Sequence, residues 1–272
     1  MHQSPLCRKA IPLIQEILEA LGIYSLYGRW LQNTIDKGEK PNHIGVIMDG
    51  NRRWARERDM IPWEGHWEGA DKVEQFLDWC VELNIRTITL YSFSTENFNR
   101  SQEEVSELFK LFEKMLERVL KSDHIHKNKV RIRAIGRIET LPERLQELIH
   151  QVEDATKDYD AYYLNIAIAY GGRAEIVDAM KVIAEKIKQG DIAPSDIDEN
   201  VIEANLYTAH LPYPDPDIII RTSGESRLSN FLVWQSAYSE LFLVDVFWPS
   251  FRKIDLMRAI RGYQMRQRRF GK

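Results

Sequence analysis

Glycines, arginines and amides stand directly after several apolar stretches of this 272-residue sequence. Arginine binds phosphate through paired hydrogen bonds, and a glycine before a helix lets backbone N–H groups approach an anion. The sequence therefore predicts a site for more than one phosphate group. The residues that follow the stretches are Asp49, Gly50, Asn51, Arg52 and Arg53; Ser94, Thr95, Glu96, Asn97 and Arg100; Tyr170, Gly171, Gly172 and Arg173; and Arg221, Thr222, Ser223, Gly224, Glu225 and Arg227.

Asp49 is the carboxylate that stands at the end of an apolar stretch among these arginines. Mg²⁺ is commonly held by one or two carboxylates together with phosphate oxygens and water, so Asp49 is a candidate metal ligand. In the alternative interpretation Asp49 caps the following helix and pairs with Arg53, and the site only binds phosphate. Neither a P-loop nor a dinucleotide-binding glycine motif occurs, which argues against nucleotide enzymes of those kinds.

The elements that must position these residues alternate between strands and helices. Strands that are apolar on both faces and separated by helices indicate a mostly parallel sheet flanked by helices, an α/β fold. In such sheets ligands bind beyond the carboxyl ends of the strands, where the polar residues lie. The predicted strands are 43–49, 86–93, 129–136, 162–170, 217–223 and 240–248, and the predicted helices are 73–83, 105–120, 141–152, 174–187 and a C-terminal helix.

The composition limits the classes of partner. With 44% hydrophobic and 29% charged residues the chain can form a substantial core, and its formal net charge is -4. The arginines are confined to strand ends, so nucleic-acid binding is not expected. The two cysteines, Cys7 and Cys80, have no metal or redox spacing, and no apolar run reaches the roughly 18 residues of a membrane span. We expect a cytoplasmic protein that is at most peripheral at a membrane.

Residues 1–40 are predicted to be an amphipathic N-terminal extension, and residues 41–272 a single catalytic domain. Leu13, Ile14, Ile17, Leu18 and Leu21 lie at helical spacing, and a polar linker at 36–42 follows. The apolar face of this extension could dock on the folded protein or rest on a membrane.

Five longer blocks carry a resemblance to a known family. HIGVIMDGNRRWA, GHWEGA, LYSFSTENFNR, LNIAIAYGGR and IIIRTSGESRLSNFLVWQSAYSELFLVDVFWPSF resemble, in order, the signature blocks of the cis-prenyltransferases, which include undecaprenyl and dehydrodolichyl diphosphate synthases. The resemblance implies an undecaprenyl diphosphate synthase-like fold with an apolar product tunnel. It also implies a Mg²⁺-dependent enzyme that condenses isopentenyl diphosphate onto farnesyl or geranylgeranyl diphosphate, making a medium or long cis-polyprenyl diphosphate for lipid carrier synthesis.

The resemblance also implies roles for individual residues. Asp49 would handle Mg²⁺ and the departing diphosphate, Asn97 would position the abstracted proton, and Glu240 would support the metal and a subunit contact. The residues at the start of the helix after Asp49 would hold the allylic diphosphate, while Arg221, Arg227 and Ser229 would bind isopentenyl diphosphate. The full set of predicted substrate-binding residues is Gly50, Asn51, Arg52, Arg53, Trp54, His66, Ser94, Glu96, Phe98, Arg100, Arg221, Arg227, Ser229, Arg269 and Gly271.

The C-terminal Arg269-Phe270-Gly271 is similar to an R-x-G tail that reaches the partner's active site in this family, which implies a homodimer. The tunnel walls would be the inner faces of the early strands and the helices 73–83 and 105–120. Small residues at Ser92 and Ala134 argue weakly against a short product.

Two departures from the family pattern leave alternatives open. Pro62 stands in a stretch where many bacterial members carry an arginine, and Ser226 stands where they often carry a histidine. The adjacent Arg52 could replace the missing charge. Pro62 and Ser226 suggest a looser site, so prenyl transfer to a non-isoprenoid hydroxyl acceptor is a second hypothesis. A third hypothesis is that the protein is a non-catalytic partner subunit.

Overall fold

The computed structural model describes residues 23–266. Its first elements are α1 (Ile23–Ile35), β1 (His43–Ile47), α2 (Asn51–Arg56), α3 (Glu64–Glu82), β2 (Thr87–Ser94), α4 (Gln102–Leu120) and α5 (Asp123–Lys127). The chain continues through β3 (Val130–Ile135), α6 (Glu143–Thr156), β4 (Tyr162–Tyr170), α7 (Gly172–Gln189), α8 (Glu199–Glu203), β5 (Ile218–Thr222), β6 (Glu240–Val244) and α9 (Lys253–Met265). Short 3-10 helices span Thr95–Asn99, Ile138–Thr140, Pro194–Asp196 and Trp248–Ser250.

The six strands form one sheet in the order β3-β4-β2-β1-β5-β6, and every neighbouring pair is parallel. The predicted α/β fold and all six predicted strands are confirmed. The central strands β1 and β5 are buried along their whole length, as expected for a parallel sheet covered on both faces.

Helix α3 begins at Glu64, nine residues before the predicted start. Gly65 and Gly69 disfavour a helix on propensity alone, but here they let α3 approach the preceding helix. A Cβ atom at Gly65 would lie 2.1 Å from the Asn51 carbonyl oxygen, and one at Gly69 would lie 2.6 Å from Asn51 Oδ1. Tertiary packing therefore overrides local propensity at this position.

Residues 23–40 and 252–266 form one compact unit, and residues 41–251 form another. Within the first unit α1 packs against α9, and Gln264 Nε2 donates hydrogen bonds to the carbonyl oxygens of Ile35 (2.8 Å) and Glu39 (3.0 Å). The predicted division into an extension and a single domain of residues 41–272 stays a prediction. Among the described helices, none combines the length and apolar character needed to cross a membrane.

Two histidines are held neutral inside the larger unit. Burial lowers the pKa of His43 to about 4, and His43 Nε2 lies 2.8 Å from Thr89 Oγ1. Burial also lowers the pKa of His210 to about 4, and His210 Nε2 lies 3.0 Å from Asn165 Oδ1. Because unfolding frees both rings to bind protons, acid favours the unfolded chain.

We therefore predict that stability falls as the pH drops from about 6.5, the ordinary pKa of histidine, towards about 4. The fully buried His43 contributes on the order of 3 kcal/mol to this loss, so His43→Asn should flatten the pH dependence by about that amount. Urea unfolding at a series of pH values measures it. The exposed His150 provides the control His150→Asn, and equal slopes for the His43 variant and wild type would contradict the prediction.

Candidate active site

The site lies where the connections leave the sheet in opposite directions. The chain passes from β1 to β2 on one side and from β5 to β6 on the other, so β1 and β5 flank the crevice in which α/β proteins bind ligands. Asp49 follows β1 and Thr222 ends β5. Thr222 Oγ1 accepts a hydrogen bond from the Asp49 N–H (2.9 Å) and donates one to the Asp49 carbonyl (2.6 Å). The backbone at Asp49 is thus fixed to the neighbouring strand.

The Asp49 carboxylate lies between two guanidinium groups. Arg221 Nη2 donates to Oδ2 at 2.7 Å, and Arg53 Nη2 donates to Oδ1 at 3.2 Å. Burial alone would raise the pKa of Asp49, but the hydrogen bond and charge of Arg221 and the charge of Arg53 outweigh it and lower the pKa. Asp49 is therefore ionised at neutral pH.

Arg221 joins Asp49 to the loop after β5. Its side chain is 4% exposed, and Nη1 donates to Ser229 Oγ at 2.7 Å and to the Arg227 carbonyl. Arg221 Nε is buried and has no hydrogen-bond acceptor among the residues that the structure describes. Such an unused donor in a buried site is available to a bound ligand.

The loop after β5 holds an unusual backbone conformation. Ser223, Ser229, Asn230 and Leu232 all have positive φ, a region that non-glycine residues adopt at a cost of about 1–3 kcal/mol each. Arg53 donates to Ser223 Oγ at 2.6 Å, and Glu225 lies 3.6 Å from Arg53 and 3.3 Å from Arg227. This concentration of backbone strain marks the loop as a candidate ligand-binding segment.

A second cluster of basic side chains surrounds Glu104, a buried carboxylate at the start of α4. Its Oε1 lies 2.9 Å from Arg100, 3.6 Å from Arg52 and 3.5 Å from His66 Nε2. The nearby His66 ring, together with the charges of Arg100 and Arg52, lowers the pKa of Glu104 to about 2 despite burial. Burial lowers the pKa of His66. The adjacent Arg52 and Arg53 therefore serve two separate clusters.

Glu104 was not among the residues predicted from sequence. Its position four residues after Arg100, in the first turn of a strongly amphipathic helix, is the available signal, because side chains at that spacing are neighbours on a helix. Many exposed helices carry the same pair, so only its burial distinguishes it.

Gly50 has no room for a side chain. Its φ is +101°, and a Cβ atom there would lie 2.6 Å from the Phe247 ring. Asn51 Nδ2 donates to the Met48 carbonyl at 3.4 Å. Trp54 Nε1 donates to Ser250 Oγ at 2.9 Å, with the Arg58 guanidinium 4.1 Å from the Trp54 ring centroid. These contacts fix the start of α2.

The loop after β2 is tied to the loop after β5. The β2–β4 register shifts between Tyr91 and Ser94, directly before the loop. Asn97 Oδ1 accepts a hydrogen bond from the Ser94 N–H at 3.1 Å, and Glu96 accepts one from Asn230 at 3.1 Å. Phe98 is 38% exposed and packs edge-on against Phe93 at 4.9 Å. Asn97 therefore has a fixed orientation, and Glu96 bridges the two loops.

Among the described residues, the predicted metal ligand Glu240 is not brought to this crevice. Glu240 is the first residue of β6, level with Ile44 at the amino-terminal ends of the strands, about five strand residues, or roughly 16 Å, from the level of Asp49. Within one chain Glu240 and Asp49 cannot ligate the same ion, and the reason is that Glu240 is the first rather than the last residue of its strand. Arg269 and Gly271 lie outside the described residues.

A cavity of about 600 Å³ extends from the crevice between the sheet and helices α3, α4 and α6. Asn51 and His66 line its end nearest the basic residues. Its walls are mostly apolar, and the strands and helices predicted to form the tunnel walls line it, including Ser92, Phe112 and Ala134. The volume lies within the ordinary range of ligand pockets.

The residues of the crevice fit a divalent cation held jointly with a ligand. Among residues 23–266 no group of three or more His, Cys, Asp and Glu side chains is placed to hold a metal by itself. Asp49 is ionised and its side chain keeps 27% of its surface exposed. One carboxylate plus phosphate oxygens and water is a usual Mg²⁺ environment.

Comparison with known proteins identifies the family. The Prenyltransf family model, that of undecaprenyl diphosphate synthases, matches residues 47–271. The chain belongs to the undecaprenyl diphosphate synthase family. It is 52% identical over 255 residues to the geranylgeranyl-diphosphate-specific tritrans,polycis-undecaprenyl-diphosphate synthase of Methanocaldococcus jannaschii, covering 94% of this chain and 91% of that protein. The enzyme of the same name from Thermococcus kodakarensis is 50% identical over 250 residues, covering 92% and 94%.

A solved structure of a family relative has the same fold. The crystal structure of lavandulyl diphosphate synthase from Lavandula x intermedia, in complex with dimethylallyl diphosphate, matches with a TM-score of 0.83 at 36% identity. The match covers 86% of this chain and 99% of that chain. The undecaprenyl diphosphate synthase-like fold predicted from the signature blocks is confirmed.

Proposed function

We propose that this protein condenses isopentenyl diphosphate onto an allylic diphosphate and repeats the step to make a medium or long cis-polyprenyl diphosphate for lipid carrier synthesis. The observation that carries the proposal is an ionised Asp49 between two arginines, next to a second basic cluster at the mouth of an apolar cavity. The names of the relatives favour geranylgeranyl diphosphate as the primer.

The two basic clusters suit two diphosphates. We assign isopentenyl diphosphate to Arg221 of β5 and to Arg227 and Ser229 of the loop that follows, which Arg221 joins through hydrogen bonds. We assign the allylic diphosphate to Arg52 and Arg100 of the Glu104 cluster, near His66 and the cavity entrance, together with Arg53, which contacts Asp49. Separate clusters on separate strand ends let the protein distinguish the substrate that keeps its diphosphate from the one that loses it.

The site must stabilise the diphosphate that leaves the allylic substrate. Negative charge grows on the departing group, and guanidinium groups already in place stabilise it without reorganising at that moment. Asn97, whose amide oxygen is engaged by Ser94, has its NH₂ group to offer a substrate, and we assign it to positioning the proton that is removed. The apolar chain extends into the cavity between the sheet and α3, α4 and α6.

We propose that Mg²⁺ binds at Asp49 together with diphosphate oxygens. When bound, Mg²⁺ would neutralise diphosphate charge and act as a Lewis acid. The lowered pKa keeps Asp49 ready as a ligand at neutral pH, since burial is outweighed by Arg221 and Arg53. Glu240 could join such a site only from a second chain, because it lies at the amino-terminal end of its strand and Asp49 follows the carboxyl end of β1.

The primer and product are tested together. Purified protein with Mg²⁺ and labelled isopentenyl diphosphate should extend geranylgeranyl diphosphate faster than farnesyl diphosphate, giving products whose new double bonds are cis. Steady-state rates with each primer, followed by sizing and NMR of the products, make the comparison. Prenyl ethers of added alcohols as the main products would favour the hydroxyl-acceptor hypothesis instead.

Product length should depend on Ala134, which lines the cavity. Ala134→Phe inserts a ring into the path of the growing chain, so we predict shorter products while the first condensations proceed at near the wild-type rate. Mass spectrometry of the extracted lipids measures this. Ala134→Ser at the same position adds one atom and should leave the length distribution unchanged. A folded Ala134→Phe enzyme with wild-type product lengths would contradict the assignment of the cavity.

We propose that the protein is a homodimer that pairs through the surface around β6. This edge strand carries Leu243, which is 45% exposed, and Val233 and Tyr238 nearby in sequence are 40% and 80% exposed. Apolar side chains on an exposed edge strand favour association with another protein surface. The R-x-G tail is a second argument for the dimer, and it rests on sequence alone because Arg269-Phe270-Gly271 lies outside the described residues.

Leu243→Glu should weaken this dimer at least tenfold, because it places a charge in an apolar contact. Sedimentation equilibrium over a range of concentrations measures the dissociation constant. Lys157→Glu, at a side chain that is 61% exposed, adds negative charge elsewhere and serves as the control. A Leu243→Glu protein that associates as tightly as wild type would rule out this surface. A cytoplasmic location stays a prediction.

A further inference from the structure

The exposed faces of α1 and α9, in the unit formed by residues 23–40 and 252–266, combine apolar and basic side chains. Leu26 and Trp30 lie one helical turn apart on α1 and are 64% and 47% exposed. Met265, near the end of α9, is 70% exposed. Large apolar side chains grouped in this way on a small unit indicate a contact surface.

Two arginines of α9 lie over the aromatic rings of α1. The Arg261 guanidinium is 4.6 Å from the Trp30 ring centroid, and that of Arg258 is 5.3 Å from the Tyr27 ring centroid. Tyr27 and Trp30 stack with their centroids 5.6 Å apart. Positive charges are thus held beside exposed apolar side chains. The arginines and the aromatic rings come from opposite ends of the described chain. We call this the Trp30 surface, formed by Leu26, Arg29, Trp30, Arg258, Arg261 and Met265.

The charge of this unit is opposite to that of the rest of the protein. Residues 23–40 and 252–266 contain eight basic and three acidic side chains, a formal charge of +5. Residues 41–251 contain 24 basic and 36 acidic side chains, a formal charge of -12. The net charge of the whole chain, -4, conceals this asymmetry. An anionic partner is therefore attracted to one unit and repelled by the other.

We propose that the Trp30 surface docks on an anionic lipid bilayer. Tryptophan favours the interface between headgroups and acyl chains, and an amphipathic helix with apolar and basic side chains lies in that plane. Each arginine near an anionic membrane surface adds to the attraction. Charge complementarity favours this occupant over a symmetric contact with a second copy of the chain, whose own Trp30 surface would carry the same positive charge. The inference goes beyond the proposed reaction, because binding to lipid requires no turnover.

The test is flotation of the full-length protein with vesicles. We expect at least tenfold stronger binding to an equimolar mixture of phosphatidylcholine and phosphatidylglycerol than to phosphatidylcholine alone, with release by high salt. The double variant Arg29→Glu/Arg261→Glu should lose at least tenfold in binding to the mixed vesicles. Trp30→Ser should also bind them more weakly, because it removes the interfacial ring.

The control is Lys188→Glu, a charge reversal on the larger unit at a side chain that is 76% exposed, which should bind the mixed vesicles as wild type does. Prenyl transfer assayed in detergent should be unchanged in the Trp30-surface variants, so a failure of the proposed reaction is separable from a failure of lipid binding. Equal wild-type binding to both kinds of vesicle would overturn the proposal. An equal loss in Lys188→Glu, or a changed oligomeric state of lipid-free Trp30→Ser, would also overturn it.

Discussion

Asp49→Asn is expected to lower kcat about a thousandfold while leaving the fold intact. The substitution keeps the shape of the side chain but removes the negative charge between Arg53 and Arg221. Without the carboxylate Mg²⁺ would be held less well, and the departing diphosphate would lose that Lewis acid; loss of one electrostatic contribution of this kind typically costs 10²–10³ in rate. Steady-state kinetics with saturating Mg²⁺ measure the effect.

The Michaelis constants distinguish a chemical role from a structural one. Because the two arginines lose their internal carboxylate partner, diphosphate binding should not weaken, and KM for either substrate should stay near the wild-type value or fall. Asp154→Asn, at a side chain that is 78% exposed, is the matched control and should have wild-type kinetics. A large rise in KM with an unchanged kcat would indicate that Asp49 only organises substrate binding, as in the capping interpretation.

Arg221→Lys is expected to raise KM for isopentenyl diphosphate about a hundredfold. Arg221 is buried and uses its fork to join Asp49, Ser229 and the Arg227 carbonyl. Lysine keeps the charge but loses the planar fork, and a lost hydrogen bond to a charged group costs about 1.5–3 kcal/mol. Initial rates with each substrate varied in turn measure both constants.

The matched variant is Arg100→Lys in the second basic cluster. Arg100 pairs with Glu104 rather than Asp49, so this change should raise KM for the allylic diphosphate and leave that for isopentenyl diphosphate nearly unchanged. Identical changes in both Michaelis constants for the two variants would contradict the assignment of one diphosphate to each cluster.

The central part of the site follows from sequence because a parallel sheet places all strand ends of one kind at one edge. Asp49 and Arg221 are 172 residues apart, yet Asp49 stands just after β1 and Arg221 near the end of the neighbouring β5, so their contact could be predicted. A glycine at position 50 is also expected, since the tight turn at the start of α2 needs a positive φ.

Other features depend on tertiary contacts that no local pattern reveals. Arg52 and Arg53 are neighbours in sequence but point in directions about 100° apart on the helix, and only the fold decides that one meets Glu104 and the other Asp49. Glu104 has the pattern of an ordinary surface ion pair. The early start of α3 was hidden by glycines whose role is close packing.

The charge asymmetry was also hidden in the sequence, because α1 and α9 come from opposite ends of the described chain. Residues 23–40 contain only three basic side chains, which by themselves do not indicate an electrostatic anchor. In the folded unit α9 supplies Arg258 and Arg261 to the aromatic face of α1. A surface built from distant segments is visible only after folding.

The most direct test of the central claim is a rapid-quench measurement of a single condensation, with enzyme in excess over labelled isopentenyl diphosphate and geranylgeranyl diphosphate. The proposed site predicts a product one isoprene unit longer, with a cis double bond, formed about a thousandfold more slowly by Asp49→Asn. No such product from the wild-type protein, or equal rates for the wild type and Asp49→Asn, would contradict the claim that Asp49 and its two arginines carry out prenyl transfer.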